Sequence, residues 1–158
     1  MRIIDLFSGA GGLTFGFYYR IRKNTFVRNR KNSFVFANEF DSHAAKAFSA
    51  NYPDITMLNK DIKSLTENEI RELIGEENVD LIIGGPPCQS FSTVGQRIYD
   101  EKAMLYEEYL RILSIVRPKM FLFENVKGIL SMKETFYKIN EEGEILFQTT
   151  KNKETGRE

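Results

Sequence analysis

Short apolar runs alternate along the chain with stretches of helical spacing. Arg2 to Phe7, R-I-I-D-L-F, predicts a first buried strand. Ser8-Gly9-Ala10-Gly11-Gly12 is a glycine-rich turn, after which Leu13, Phe17 and Ile21 recur four residues apart and predict a helix over 13–21. Residues 22–32 are polar and predict a loop. Ser33 to Asn38 predicts a second strand, with Glu39 at its end. Asp41 or Ser42 can cap a helix through Tyr52 that carries Ala44, Ala47 and Phe48 on one face. His43 falls in its first turn, where a surface or capping contact is expected. Pro53-Asp54 breaks that helix.

The second half continues the alternation. Ile55 to Leu58 predicts a short third strand, with Asp61 just beyond it. Thr66 and Glu69 have capping-box spacing and open a helix to Ile74, which Gly75 stops. Val79 to Ile83 predicts a fourth strand, leading into Gly84-Gly85-Pro86-Pro87-Cys88-Gln89-Ser90-Phe91-Ser92. Asp100 to Val116 carries Leu105, Tyr109, Ile112, Leu113 and Val116 on one side of a helix, and Pro118 ends it. Met120 to Phe123 predicts a fifth strand, closed by Glu124-Asn125-Val126. After Gly128 the pattern loosens into a hairpin around Glu141-Glu142-Gly143 and a polar tail, 151–158, expected to be disordered. No internal repeat is present.

Strands alternating with helices predict an α/β fold with a doubly wound, mostly parallel sheet. Such a sheet puts the carboxyl ends of its strands on one edge, where ligands bind. The glycine turn, Glu39, Asp61, Cys88 and Glu124 all fall at strand ends and so converge on one crevice. The order strand, glycine turn, helix is what a nucleotide-type cofactor loop requires, although G-x-G-G falls short of the full dinucleotide fingerprint. An acid ending the second strand is placed to grip ribose hydroxyls.

Composition narrows the choice of chemistry. A chain of 158 residues suits one domain with a real core. One cysteine and one histidine leave no internal disulfide framework and no cysteine- or histidine-built zinc site. No stretch is apolar enough to span a bilayer, and the chain opens on a strand pattern, so a cytoplasmic setting is the expectation. Lysine plus arginine and aspartate plus glutamate balance at 22 each, so net charge does not point to nucleic acid. The distribution is uneven, however. No acid lies between Asp5 and Glu39, whereas Arg20, Arg22, Lys23, Arg28, Arg30 and Lys31 do. That cluster is either a phosphate-contacting surface or a solvated loop.

A lone cysteine is commonly a small buried hydrophobe. Cys88 instead follows two glycines and two prolines and precedes Gln89, Ser90 and Ser92, which makes a shaped loop with hydrogen-bonding groups around a thiol. Glu124, an acid after an apolar strand on the same edge, is its candidate companion; alone it would read as a solvated strand-end acid.

Taken as a set, Asp5 through Leu13, Asn38-Glu39-Phe40-Asp41, Lys60-Asp61-Ile62, Gly84 through Ser92 and Glu124-Asn125-Val126 resemble the N-terminal part of a DNA (cytosine-5)-methyltransferase. The resemblance covers 1–132, the cofactor-binding and catalytic part, and leaves 133–158 as a hairpin-like or disordered segment. It implies a Rossmann-like methyltransferase fold, incomplete at the C-terminus, with S-adenosyl-L-methionine as cofactor. By the same resemblance Phe7, Gly9, Gly11 and Leu13 line the methionine side, and Glu39 holds the ribose. Asp61 and Ile62 contact adenine, and Pro87 and Leu105 close the pocket. Cys88 is the nucleophile that adds to C6 of a cytosine flipped from double-stranded DNA, and Glu124 is the acid at N3. No metal and no membrane are implied.

The sequence departs from the family pattern in two respects. The later Gln-x-Arg-x-Arg segment and the target-recognition domain are missing, and Arg28-Asn29-Arg30 stands in the wrong place to substitute. Lys102-Ala103 stands where relatives carry an arginine, which keeps a charge but loses a planar fork. The expectation is a truncated chain or one part of a split enzyme needing a complementary chain. The alternative is an inactive cofactor-binding or assembly module.

Overall fold

The computed structural model describes residues 1–87 and 105–125, and the backbone of 135–139 and 145–149. Its centre is β1 (Arg2–Leu6), flanked on one side by β4 (Ser33–Glu39) and β5 (Met57–Asn59) and on the other by β6 (Leu81–Gly84) and β7 (Met120–Phe123). The described pairings in this sheet are all parallel, in the order β5-β4-β1-β6-β7. Strand order therefore reverses at β1, which opens a crevice beyond the carboxyl ends of the central strands. The mostly parallel α/β architecture expected from the alternating pattern is the one observed.

Alternation along β1 explains the layers. Ile4 and Leu6 face one way, into a core with Ile82, Tyr109 and Ile112, against α3 (Glu67–Ile74) and α4 (Leu105–Val116). Ile3 faces the other way with Leu81 and Ile83, and Leu13 and Phe17 of α1 (Gly12–Tyr18) cover it. Next to that layer, α2 (Ser42–Asn51) packs Phe48 with Tyr18, Tyr52 and Ile55. A bulge in the β1–β4 register, where Ile3 pairs Phe34 and Ile4 pairs Phe36, places Val35 as well as Phe36 against the first core.

Helix ends follow the capping residues. Asp41 accepts the N–H groups of His43 and Ala44, and Thr66 accepts that of Glu69. The Glu69 carboxylate does not complete the capping box; it pairs with Lys60 at 2.8 Å.

The third strand, expected at 55–58, runs from Met57 to Asn59, and the stretch after the first turn departs further from expectation. The helix expected over 13–21 ends at Tyr18, and the expected loop at 22–32 contains an antiparallel hairpin, β2 (Tyr19–Arg22) with β3 (Thr25–Arg28). Lys23 and Asn24 both take positive φ, 48° and 58°, the turn whose twist suits a two-residue hairpin. Asn29 donates to the Tyr18 carbonyl, and the Phe26 ring meets Phe15 edge-on at 5.1 Å, so tertiary packing overrides the spacing of Leu13, Phe17 and Ile21. A second antiparallel pair, β8 (Thr135–Ile139) with β9 (Ile145–Thr149), lies near the chain's end. The expected start of the long helix at 100–104 and the tail at 151–158 lie outside the described residues.

Gly84 ends β6 and is not among the positive-φ glycines, so no turn requires it. Its role is close approach: an added Cβ would stand 2.6 Å from the Leu6 carbonyl oxygen and 2.8 Å from the ring of Tyr109. The Tyr109 hydroxyl in turn donates to the carbonyls of Ile82 and Leu122, tying β6 to β7. Gly84→Ala is expected to destabilise the fold by about 1–3 kcal/mol through overpacking, read as a lower urea midpoint. An unchanged midpoint would contradict the packing described.

Candidate active site

The crevice at the carboxyl edge holds a cavity of about 440 Å³ lined by the ends of successive strands. That volume is in the range of small-molecule sites. Phe7 comes from the end of β1, Glu39, Phe40 and Asp41 from the end of β4, Asp61 and Ile62 from beyond β5, Gly85 and Pro87 from beyond β6, and Leu105 from the start of α4. Six residues expected at a cofactor site, Phe7, Glu39, Asp61, Ile62, Pro87 and Leu105, thus line one cavity.

Glu39 joins two elements. One carboxylate oxygen accepts the N–H of Gly9 at 2.8 Å and the other that of Asp41 at 2.8 Å. Both bonds leave lone pairs free for hydroxyl donors. Asp61 accepts the Lys63 N–H at 2.9 Å through one oxygen, which caps the short 3-10 turn Ile62–Ser64. Phe40 is 73% exposed, an unusual state for a phenylalanine, and its ring borders the cavity. In the sequence it stands within the Asn38-Glu39-Phe40-Asp41 motif without a role of its own, although an aromatic directly after the strand-end Glu39 is the available signal.

Gly9, Gly11 and Leu13 do not line the cavity among the described residues. Gly9 and Gly11 take φ +55° and +95° and shape the turn, which a side chain would strain. Tyr52 fills the place of a Cβ at Gly11 and donates its hydroxyl to the Gly11 carbonyl at 2.8 Å. The Leu13 side chain packs toward Ile3, Leu81 and Ile83.

Glu124 follows β7 beside the Gly85-Pro86 loop. Its N–H donates to the Gly84 carbonyl at 2.9 Å, and a Cβ on Gly85 would stand 2.9 Å from its Oε2. Asn125 donates to the Pro86 carbonyl at 3.2 Å, joining the two loops from the other side. Cys88, one residue past Pro87, lies outside the described residues. Among those residues no group of histidine, cysteine and acid side chains is arranged for a metal, and no helix is long and apolar enough to cross a membrane.

The sequence pattern of the C-5 cytosine-specific DNA methylases matches residues 1–146. The chain belongs to that family. It is 41% identical over 135 residues to the type II methyltransferase M.AgeI of Thalassovita gelatinovora, covering 84% of this chain and 29% of that one. It is 39% identical over 139 residues to M.FnuDI of Fusobacterium nucleatum, covering 85% and 35%. Among solved structures, a mutant of Spodoptera frugiperda DNMT2 superposes with a TM-score of 0.59 at 26% identity, over 83% of this chain and 37% of that one. The chain thus spans about a third of the length of these relatives.

One acid of the methylase core is buried within the sheet. Asp5 faces α1, with Oδ2 accepting from the Thr14 hydroxyl at 2.5 Å and Oδ1 without a partner; the buried Ser8 hydroxyl also has none. Burial pushes the Asp5 carboxyl up to about 7, against the pull of the Thr14 hydrogen bond and with a push from Glu39. An unfolded aspartate titrates at about 3.9. Between those values the folded chain holds a proton that the unfolded chain has released. Stability is therefore expected to fall as pH rises from about 4 to about 7, and to level off above. Asp5→Asn should flatten that slope and gain on the order of a few kcal/mol over the parent at pH 8, measured by urea unfolding at pH 5 and pH 8. Identical pH profiles for the two proteins would contradict it.

Proposed function

We propose that this chain supplies the cofactor pocket and the catalytic residues for transfer of a methyl group from S-adenosylmethionine to C5 of cytosine in double-stranded DNA. The observation that carries the reading is the convergence on one cavity of an acid, an exposed aromatic ring, a second acid and apolar walls, next to the Gly85–Glu124 contact. That donor set fits an adenosyl group with a cationic tail. Glu39 accepts from the ribose hydroxyls, Phe40 offers its face to the adenine, Asp61 accepts from the exocyclic amine and Ile62 packs on the ring. Pro87 and Leu105 close the far side. Phe7 borders the methionine end, and Gly9, Gly11 and Leu13 act there by shaping and supporting the turn that follows β1.

The bound cofactor supplies an electrophilic methyl group. The chain's own task is to make C5 of cytosine nucleophilic. The Cys88 thiolate adds to C6, and Glu124, protonated against N3, stabilises the charge that this addition creates. Once C5 carries the methyl group, a water molecule takes the C5 proton, the C5–C6 double bond re-forms and Cys88 leaves as the thiolate. A thiol suits this step because it reaches the thiolate form near neutral pH. The target base leaves the stack to reach these groups. The similarity to type II methyltransferases favours a restriction-modification setting, with the DNA site chosen by elements beyond the region matched here.

The test is transfer of tritiated methyl groups to duplex DNA. It is run with the chain alone and with the remaining part of M.AgeI added as a second polypeptide. Transfer in either arm, lost by more than about a hundredfold in Cys88→Ser, is expected. Cofactor binding without transfer in both arms would make the chain a binding module; absence of both would overturn the reading. In calorimetry with S-adenosylhomocysteine, Phe40→Ala should weaken binding roughly three- to tenfold through lost ring contact. Glu39→Gln should cost about tenfold or more through lost charge-assisted hydrogen bonds. Parent-like affinity in both variants would remove the assigned pocket.

A further inference from the structure

The β2–β3 hairpin takes no part in the cavity described above, yet it concentrates charge. Six cations and no acid lie between Asp5 and Glu39 in a chain whose lysine plus arginine and aspartate plus glutamate are equal overall, at 22 each. Elsewhere the described cations are commonly matched with carboxylates: Arg2 with Glu77, Lys60 with Glu69, Arg111 with Glu108 and Lys119 with Asp80. In this segment only Arg28 has such a partner, Asp54, and it also stacks 3.8 Å from the centre of the Tyr18 ring. Arg20, Arg22, Lys23, Arg30 and Lys31 are exposed and, among the described residues, face no acid.

The backbone fixes where these cations stand. Cross-strand pairing sets Ile21 opposite Phe26 and Tyr19 opposite Arg28 on one face, and Arg20 opposite Val27 and Arg22 opposite Thr25 on the other. The first face is fastened to α1 through Phe15, which leaves the second, with Arg20 and Arg22, turned away from it. Lys23 occupies the positive-φ turn of the hairpin. Arg30 and Lys31 occupy the centre of a second turn, closed by Asn32 donating to the Asn29 carbonyl at 3.1 Å. That turn is anchored to the body where the chain's amino group donates to the Lys31 carbonyl at 2.7 Å and the Asn32 amide donates to the Phe17 carbonyl at 2.8 Å. The cations therefore stand on a fixed platform rather than on a loose loop.

We infer that this hairpin and the turn after it form a second nucleic-acid contact, which holds the phosphate backbone of duplex DNA without reading sequence. Charge complementarity selects the occupant. A strip of unpaired cations, with arginine on the presented strand face, suits a regular polyanion, and guanidinium forks match phosphate oxygens. The choice of DNA as that polyanion rests on the function proposed above; the existence of the surface does not.

The test uses the full chain, a labelled duplex of arbitrary sequence and fluorescence anisotropy over a range of salt. R20A/R22A/K23A is compared with the parent and with K46A/R117A, which removes two exposed cations elsewhere. The hairpin variant should bind about tenfold or more weakly near 0.1 M salt, and its log–log salt slope should shrink by about 2–3. The control should stay close to the parent. R20K/R22K, which keeps the charge, should recover much of the loss, and thermal unfolding of each variant checks the fold. Equal affinity and slope in parent and hairpin variant would overturn the inference. So would tighter binding of a polyglutamate peptide than of the duplex, which would assign the surface to an acidic protein. Binding of S-adenosylhomocysteine separates the two readings: lost DNA binding in the hairpin variant of a chain that binds no cofactor supports the surface and sinks the methyltransferase reading. Intact cofactor binding with DNA affinity indifferent to the hairpin does the reverse.

Discussion

The Glu39 carboxylate holds the functional edge together. It accepts one N–H from Gly9 in the turn after β1 and another from Asp41 after β4. A glycine turn is free to adopt many conformations, so something must select one. Here the selection comes from Glu39 on one side and from Tyr52, packed on Gly11, on the other. The same carboxylate borders the cavity, so the group that shapes the turn is also the one offered to a ligand. The cavity is built from what the sheet places beside that clamp.

Much of this edge is legible in the sequence because parallel strands obey a simple rule. Each apolar run is closed by polar residues or glycine: Ser8-Gly9 after Phe7, Asn38-Glu39 after Ala37, Gly84-Gly85 after Ile83, Glu124 after Phe123. Once the runs are strands of one parallel sheet, those residues share an edge. Family membership follows from the same residues, taken together in order.

The misses have a common cause, which is that contacts distant in sequence decided them. The hairpin replaced a helix turn and a loop because Phe26 finds Phe15 and Asn29 finds the Tyr18 carbonyl. Helical spacing of Leu13, Phe17 and Ile21 carries no trace of either. Gly84 and Gly85 precede the Cys88 loop in the sequence, but the room they leave for Tyr109 and for the Glu124 carboxyl shows only in the fold. Buried Asp5 looked like part of a motif, and its cost is visible only with the sheet on one side and Thr14 on the other. Phe40 was visible in its motif, but its exposure beside the cavity follows only from how β4 ends.

The most direct measurement is amide hydrogen exchange of the full chain with and without S-adenosylhomocysteine. Slowed exchange confined to the glycine turn at 8–12, to Glu39–Asp41, to Asp61–Lys63 and to the closing side at Gly85 and Leu105, with the hairpin at 19–28 unchanged, is the predicted result. Protection spread evenly over the chain, or centred on the hairpin while those segments exchange as before, would contradict it.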